Sequence, residues 1–286
     1  MKSLKFLLVF LFLFPITVWA QQEQSVLWKI SGKGLKKHSY LFGTNHVAPY
    51  QELQQFPKIL KIIKNTDKGL FETTPSSPIK LDSTLEKKMN PPLDEIFTRE
   101  EYEIVDDFFS KTMYGSIKPH NHNADLLAML YVVMTMKDNP KAAENMTFDY
   151  WIMKFMSEDL KKEIFPLDDL NLAYLHLSEL TTPRGMAVAM VNLIQDIGLT
   201  GKYLETEIAS YILTLKADLK LKEVSLDKRM SERNQLWLPK IEEQIKSGSC
   251  FIAVGAGHLK YEIGLIQLLR KEGYKLTPVK LKRKEN

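Results

Sequence analysis

The chain has 286 residues, with 39 Lys and Arg against 35 Asp and Glu, for a formal net charge of +4. So slight an excess offers no electrostatic case for nucleic acid, and the C-terminal run Lys280, Lys282, Arg283 and Lys284 reads as a solvated tail. A single cysteine, Cys250, excludes an internal disulfide, so the fold must stand on its core.

Met1 to Lys5 is basic, Phe6 to Val18 is apolar, and Val18 and Ala20 stand at −3 and −1 of a cut before the polar Gln21-Gln22-Glu23-Gln24. This predicts a secretory signal peptide over 1–20, with an apolar run too short to span a bilayer. No Cys near the cut offers a lipid anchor. The mature chain, 21–286, then reads as one secreted or periplasmic domain with no membrane span. Loss of Lys2 and Lys5 leaves a formal charge of +2, from 37 basic and 35 acidic residues.

Val26–Ile30 and Ser39–Gly43 read as a strand hairpin across a turn rich in Gly and Lys. Apolar positions over 52–64 follow helical spacing, and Lys68–Glu72 reads as a third strand. The stretch 75–92 is polar and irregular. Thr98-Arg99-Glu100-Glu101 has the capping-box pattern and opens a helix to about Lys111. Further helices are expected over 124–136, with Asn123 as cap, over 147–156, capped by Thr147, and over 182–196 and 203–215. One or two more lie in 225–246, and Ile164–Leu167 is a short strand. Ser249–Gly255 is apolar without alternation, as for a strand buried on both faces. A helix over 261–271, stopped by Gly273, and a strand over 274–281 complete the chain. The expected architecture is mixed α/β, with a central sheet built from the N- and C-terminal segments and a helical middle covering it.

An internal echo links the two ends. Leu41-Phe42-Gly43-Thr44-Asn45-His46 and Ala253-Val254-Gly255-Ala256-Gly257-His258 are each strand, Gly-x-x-His, helix, strand. A duplicated unit would put His46 and His258 at equivalent strand ends, where open α/β sheets commonly bind ligands. Two imidazoles and a carboxylate suit zinc, manganese, iron or cobalt and leave positions open for water. Glu72, an acid closing the apolar Leu70-Phe71, must reach solvent or find a partner. The bland alternatives are a hydrogen-bonded strand-end histidine and an exposed strand-end acid. His120 and His122 form a His-x-His in what reads as a surface loop, and His38 and His176 read as structural. Cys250, inside an apolar strand, is a poor nucleophile. The chain shows no Gly-x-Ser-x-Gly elbow, phosphate-binding loop or dinucleotide fingerprint.

Leu27-Trp28-Lys29-Ile30, Tyr40 to Val47, Leu70-Phe71-Glu72, Arg233-Asn234, Phe251 to Leu259, Gly264-Leu265 and Leu268 to Tyr274 carry a resemblance to the TraB/GumN family, whose animal members include the Tiki proteins. The likeness covers the mature chain from end to end and is thinnest in the middle. It implies a metal-dependent hydrolase fold similar to the erythromycin esterase-like group, with the Tiki members described as metalloproteases. By position, His46 and His258 would be metal ligands, and Glu72 a third ligand or the general base. Arg233 would hold a substrate carboxylate or developing oxyanion, with Asn234 orienting it. A solvated helix face is the alternative for Arg233. The implied cofactor is a divalent ion (manganese, cobalt or zinc), and the implied substrate a peptide or other small amide or ester. Tyr261 departs from the family's usual Gly three residues after the second His, where a bulky ring would narrow the substrate path or cover the metal. Asp149 matches an acidic position in the family's middle segment. Other members are tied to pheromone shutdown and polysaccharide-related loci, so the resemblance carries a second reading: a non-catalytic envelope protein that sequesters a peptide or signal molecule.

Overall fold

A computed structural model describes residues 25–45, 50–74, 82–112, 114–138, 148–168, 181–196 and 228–284. The expected signal peptide, His46, Thr147, His176 and the expected helix over 203–215 lie outside the described residues.

Six strands form one mixed sheet: β1 (Leu27–Ser31), β2 (Ser39–Thr44), β3 (Lys68–Phe71), β4 (Ile164–Pro166), β5 (Cys250–Gly255) and β6 (Lys275–Pro278), in the order β4-β3-β5-β2-β1-β6. β4, β3, β5 and β2 run parallel, and β1 lies antiparallel to β2 and β6. The N-terminal segment thus contributes three strands, the C-terminal segment two, and the middle one edge strand. β5 is buried along its whole length, which is why its sequence shows no alternation: each face has its own core.

The two faces sort the strand residues by parity. Leu27, Phe42, Phe71 and Phe251 pack with Leu53, Ile59 and Ile63 from α1 (Tyr50–Gln54) and α2 (Pro57–Asn65). Trp28, Leu41, Leu70 and Ile252 face Trp237, Ile241 and Leu269 on the other side. A third cluster lies within the helical middle, among α3 (Ser83–Met89), α4 (Leu93–Ile96), α5 (Arg99–Ser110), α6 (Leu126–Asp138) and the helix α8 (183–196). Each such buried side chain is worth about 1.5–3 kcal/mol relative to exposure. α7 (Phe148–Lys154) buries Phe148 and Ile152 on the first face and runs into a π turn, Phe155–Asp159. The remaining helices are α9 (Lys228–Ser247) and α10 (Leu265–Lys271). Among the described residues, no helix is long and apolar enough to cross a membrane.

Several expected boundaries move, each for a local reason. The helix expected over 52–64 is two helices, because Pro57 starts a new one at its first turn while Phe56 N–H closes back on Leu53. The stretch expected to be irregular holds α3, where the Asp82 side chain accepts from the N–H groups of Thr84 and Leu85. Asp125, rather than Asn123, caps α6 by accepting from Ala128 N–H. The expected helix over 261–271 begins only at Leu265, after Tyr261 has taken a positive φ of 65°. The capping box at Thr98 and Glu101 is present on α5.

Candidate functional site

The carboxyl ends of β4, β3, β5 and β2 lie side by side, and the chain leaves them as Asp168, Glu72, the turn Ala256–Leu259 and Asn45. β2 and β5 are neighbours in register, with Gly43 opposite Val254 and Thr44 opposite Gly255. Both Gly-x-x-His segments therefore leave the same edge of the sheet. Gly43 is small for a reason: a Cβ there would stand 3.0 Å from Ala256 Cα and 3.1 Å from a Leu259 methyl. The close approach lets the turn carrying His258 lie down against β2.

α9 closes the site from above, one face bringing in Arg233, Asn234 and Trp237, with Ile241 and Ile245 continuing its buried stripe. Trp237 stands i+4 from Arg233 and i+3 from Asn234, both spacings that share a face of a helix, so one element sets all three side chains. Asn234 is 0 % exposed and His258 4 %. The amide of Asn234 donates to the carbonyls of Ile263, at 2.9 Å, and His258, at 3.3 Å. Its oxygen is then left for His258 Nδ1 at 2.7 Å. Because that oxygen only accepts, Nδ1 carries the proton, and in the neutral form of the ring Nε2 is the nitrogen that can act as a ligand. Nε2 stands 3.8 Å from Glu72 Oε1.

Glu72 is held from two sides. Its Oε1 accepts from Gly255 N–H at 2.7 Å, and its Oε2 from Arg233 Nη2 at 2.6 Å. Arg233 is itself anchored by Asp168, donating from Nε at 3.0 Å and from Nη2 at 2.7 Å. Trp237 Nε1–H gives Asp168 a third bond at 2.8 Å. The Trp237 ring lies against both Arg233, with Cζ 4.7 Å from its centroid, and His258, with centroids 4.3 Å apart. Burial opposes charge on both partners of the Arg233–Asp168 pair. For Asp168 burial wins, raising its carboxyl above the ordinary range against the pull of Arg233. For Arg233 burial is outweighed by Asp168 and Glu72, which hold its guanidinium above its ordinary value.

Of the residues singled out in the sequence, Glu72, Arg233, Asn234 and His258 thus meet at one point, while His46 lies outside the described residues. Arg233 spends Nε and Nη2 on carboxylates. Asn234 bonds the histidine ring and two carbonyls rather than the arginine. Asp149, in the first turn of α7, accepts from Thr44 Oγ1 at 2.6 Å and so ties α7 to the end of β2. Tyr261 is half-buried in a left-handed conformation that glycine adopts without strain. His120 and His122 are exposed. Burial pushes the Cys250 thiol up to about 12, which makes it inert as a nucleophile. Asp168 and Trp237 were not singled out. Asp168 carries the signal that marked Glu72, an acid after a short apolar strand. Trp237 needed only the i+4 step from Arg233.

His258 Nε2 and Glu72 Oε1 are a nitrogen–oxygen donor pair suited to a divalent cation. A ligating histidine characteristically has its other ring nitrogen fixed by an outer hydrogen bond, as Asn234 fixes this one. The donor chemistry therefore fits a metal. Among the described residues no group of three or more His, Cys, Asp or Glu is placed to hold an ion, so the described residues supply a pair rather than a full set.

Polar side chains gathered over the carboxyl ends of parallel strands, in a mixed sheet clothed by helices, define an α/β protein with a strand-end site. The chain belongs to the TraB/PrgY/gumN family, whose sequence model matches residues 26–278. Comparison with curated proteins finds no match. Comparison with solved structures finds none either.

Proposed function

We propose that the protein is a secreted or periplasmic metal-dependent hydrolase of a peptide or another small amide or ester. The observation that carries this reading is the fixed ring of His258: two carbonyls orient the Asn234 amide, the amide sets the tautomer, and Nε2 faces Glu72. The signal-peptide pattern at the N-terminus supports the compartment. His258, Glu72 and His46 would hold the cation, with Glu72 either a ligand or a base beside it. A manganese, cobalt or zinc ion bound there supplies Lewis acidity, polarising a carbonyl and lowering the pKa of water.

The chain's own residues then have separable tasks. Glu72, steadied by Gly255 N–H and Arg233, offers a carboxylate in one orientation and can take a proton from the attacking water. Arg233 keeps its plane through Asp168 and makes no hydrogen bond from Nη1 within the described residues, which leaves that group to meet negative charge developing on a substrate oxygen. Trp237 shields the Arg233–Asp168 pair and packs His258. The test is incubation of the protein, loaded separately with each of the three metals, with peptide and ester libraries read by mass spectrometry. Cleavage that disappears in Glu72→Gln and His258→Ala variants is expected. A peptide that binds tightly and returns uncut from the loaded protein would replace this reading with the sequestering one.

A further inference from the structure

We propose that a second site, a basic cleft between α2 and the β2-β1-β6 side of the sheet, binds a small organic phosphate. Its cavity is about 540 Å³, within the roughly 300–1,000 Å³ typical of small-ligand sites. The register builds its floor: Lys29 stands between Tyr40 on β2 and Thr277 on β6, so the three cross adjacent strands abreast. α2 supplies the opposite wall. Its buried stripe, Ile59, Ile62 and Ile63, packs down on the sheet, which leaves Lys58 and Lys61 on the cleft side. Lys280, just past β6, completes the rim, and its carbonyl accepts from Lys58 Nζ at 3.0 Å.

The charge of this lining is one-sided. Four lysines and no acid line the cleft, and no carboxylate of the described residues pairs with Lys29, Lys58, Lys61 or Lys280. Other lysines do have carboxylate partners, as in Lys33–Glu242, Lys37–Asp67, Lys118–Asp106 and Lys271–Glu262. Like charges around one concavity repel, and a bound anion relieves that repulsion. A phosphate monoester, carrying about −1.5 to −2 charges near neutral pH, meets several ammonium groups at once where a carboxylate brings a single charge. Lysine suits it as a point-charge partner. The Tyr40 ring and Ile62 give the ligand's body an apolar surface, so the fitting class is a phosphate ester of a ring or short alkyl group. No lining residue belongs to the strand-end site, and nothing here depends on the reading of that site.

The experiment is calorimetric titration of the purified protein with phenyl phosphate at low ionic strength, in a chelator so that no cation at the strand ends captures the phosphate. Phenylacetate and inorganic phosphate are titrated in parallel, and a Lys29→Gln/Lys61→Gln variant is checked for native circular dichroism. Phenyl phosphate is expected to bind more tightly than either comparison ligand and to raise Tm. The double variant should keep its fold and bind about tenfold more weakly or worse. Absence of binding at millimolar phenyl phosphate would overturn the proposal. So would equal binding by a folded double variant, or phenylacetate binding as tightly as phenyl phosphate.

Discussion

Asn234 is the residue on which the strand-end site turns. It is fully buried, uses both amide protons on carbonyls and gives its oxygen to His258 Nδ1. Truncation to Ala would strand the His258 carbonyl and ring N–H in the interior, each unmade bond costing about 1–3 kcal/mol, and would leave the part-buried Ile263 carbonyl to water. Asn234→Ala is therefore expected to lower unfolding free energy by about 2–4 kcal/mol in urea titrations. The loss of an outer partner should also weaken metal affinity by about 10–100-fold. A variant with parental stability would show that these hydrogen bonds are not formed in solution. Arg233 illustrates what a sequence withholds. A substrate anion and a solvated helix face are the surroundings its sequence suggests, and 65 and 161 residues away the chain adds Asp168 and Glu72. No local pattern announces pairs at such separations.

At the scale of elements, glycines decide how closely the two Gly-x-x-His segments approach. A Cβ on Gly264 would lie 2.2 Å from the carbonyl oxygen of Lys260 and 2.4 Å from that of Leu259. These are backbone atoms of the turn that carries His258, so they cannot swing aside. Gly264→Ala is expected to displace that turn and cost several kcal/mol, read as a loss of Tm beyond that of an ordinary core substitution. The helical middle offers a test by pH. Arg184 on α8 donates two bonds to Glu101 on α5 and holds its carboxyl down to about 2. A depressed carboxylate pKa contributes stability that is present above the unfolded value and lost as pH falls through the folded one. Glu101→Gln should therefore lower Tm at neutral pH, with the gap from the parent closing as pH falls from about 4.5 towards 2. A gap that is constant with pH would contradict the pairing.

Over the whole molecule, what could be read in advance was what burial writes into sequence. β5, β2 and β3 are apolar runs because helices cover both faces, and α5 carries its capping box in plain view. The sheet drawn from both chain ends followed from the placing of those runs. Three things stayed hidden. α3 buries only Met89 and so has no apolar stripe to detect. The late start of α10 depends on a backbone angle at Tyr261, which hydrophobic spacing does not record. The strand order, with β5 inserted between β2 and β3, is a pairing between residues some 210 positions apart, as in Cys250 N–H to Ser39 Oγ.

That insertion gives the strand ends their chemistry, since it sets His258 beside Glu72 and brings the exit of β2, which leads to His46, to the same edge of the sheet. The claim that follows is metal binding at this edge, and elemental analysis of the purified protein tests it most directly. Near-stoichiometric manganese, cobalt or zinc in the parent, lost in a folded His46→Ala/His258→Ala variant, is the predicted result. Metal absent from the parent even after loading, or equally present in both proteins, would contradict it.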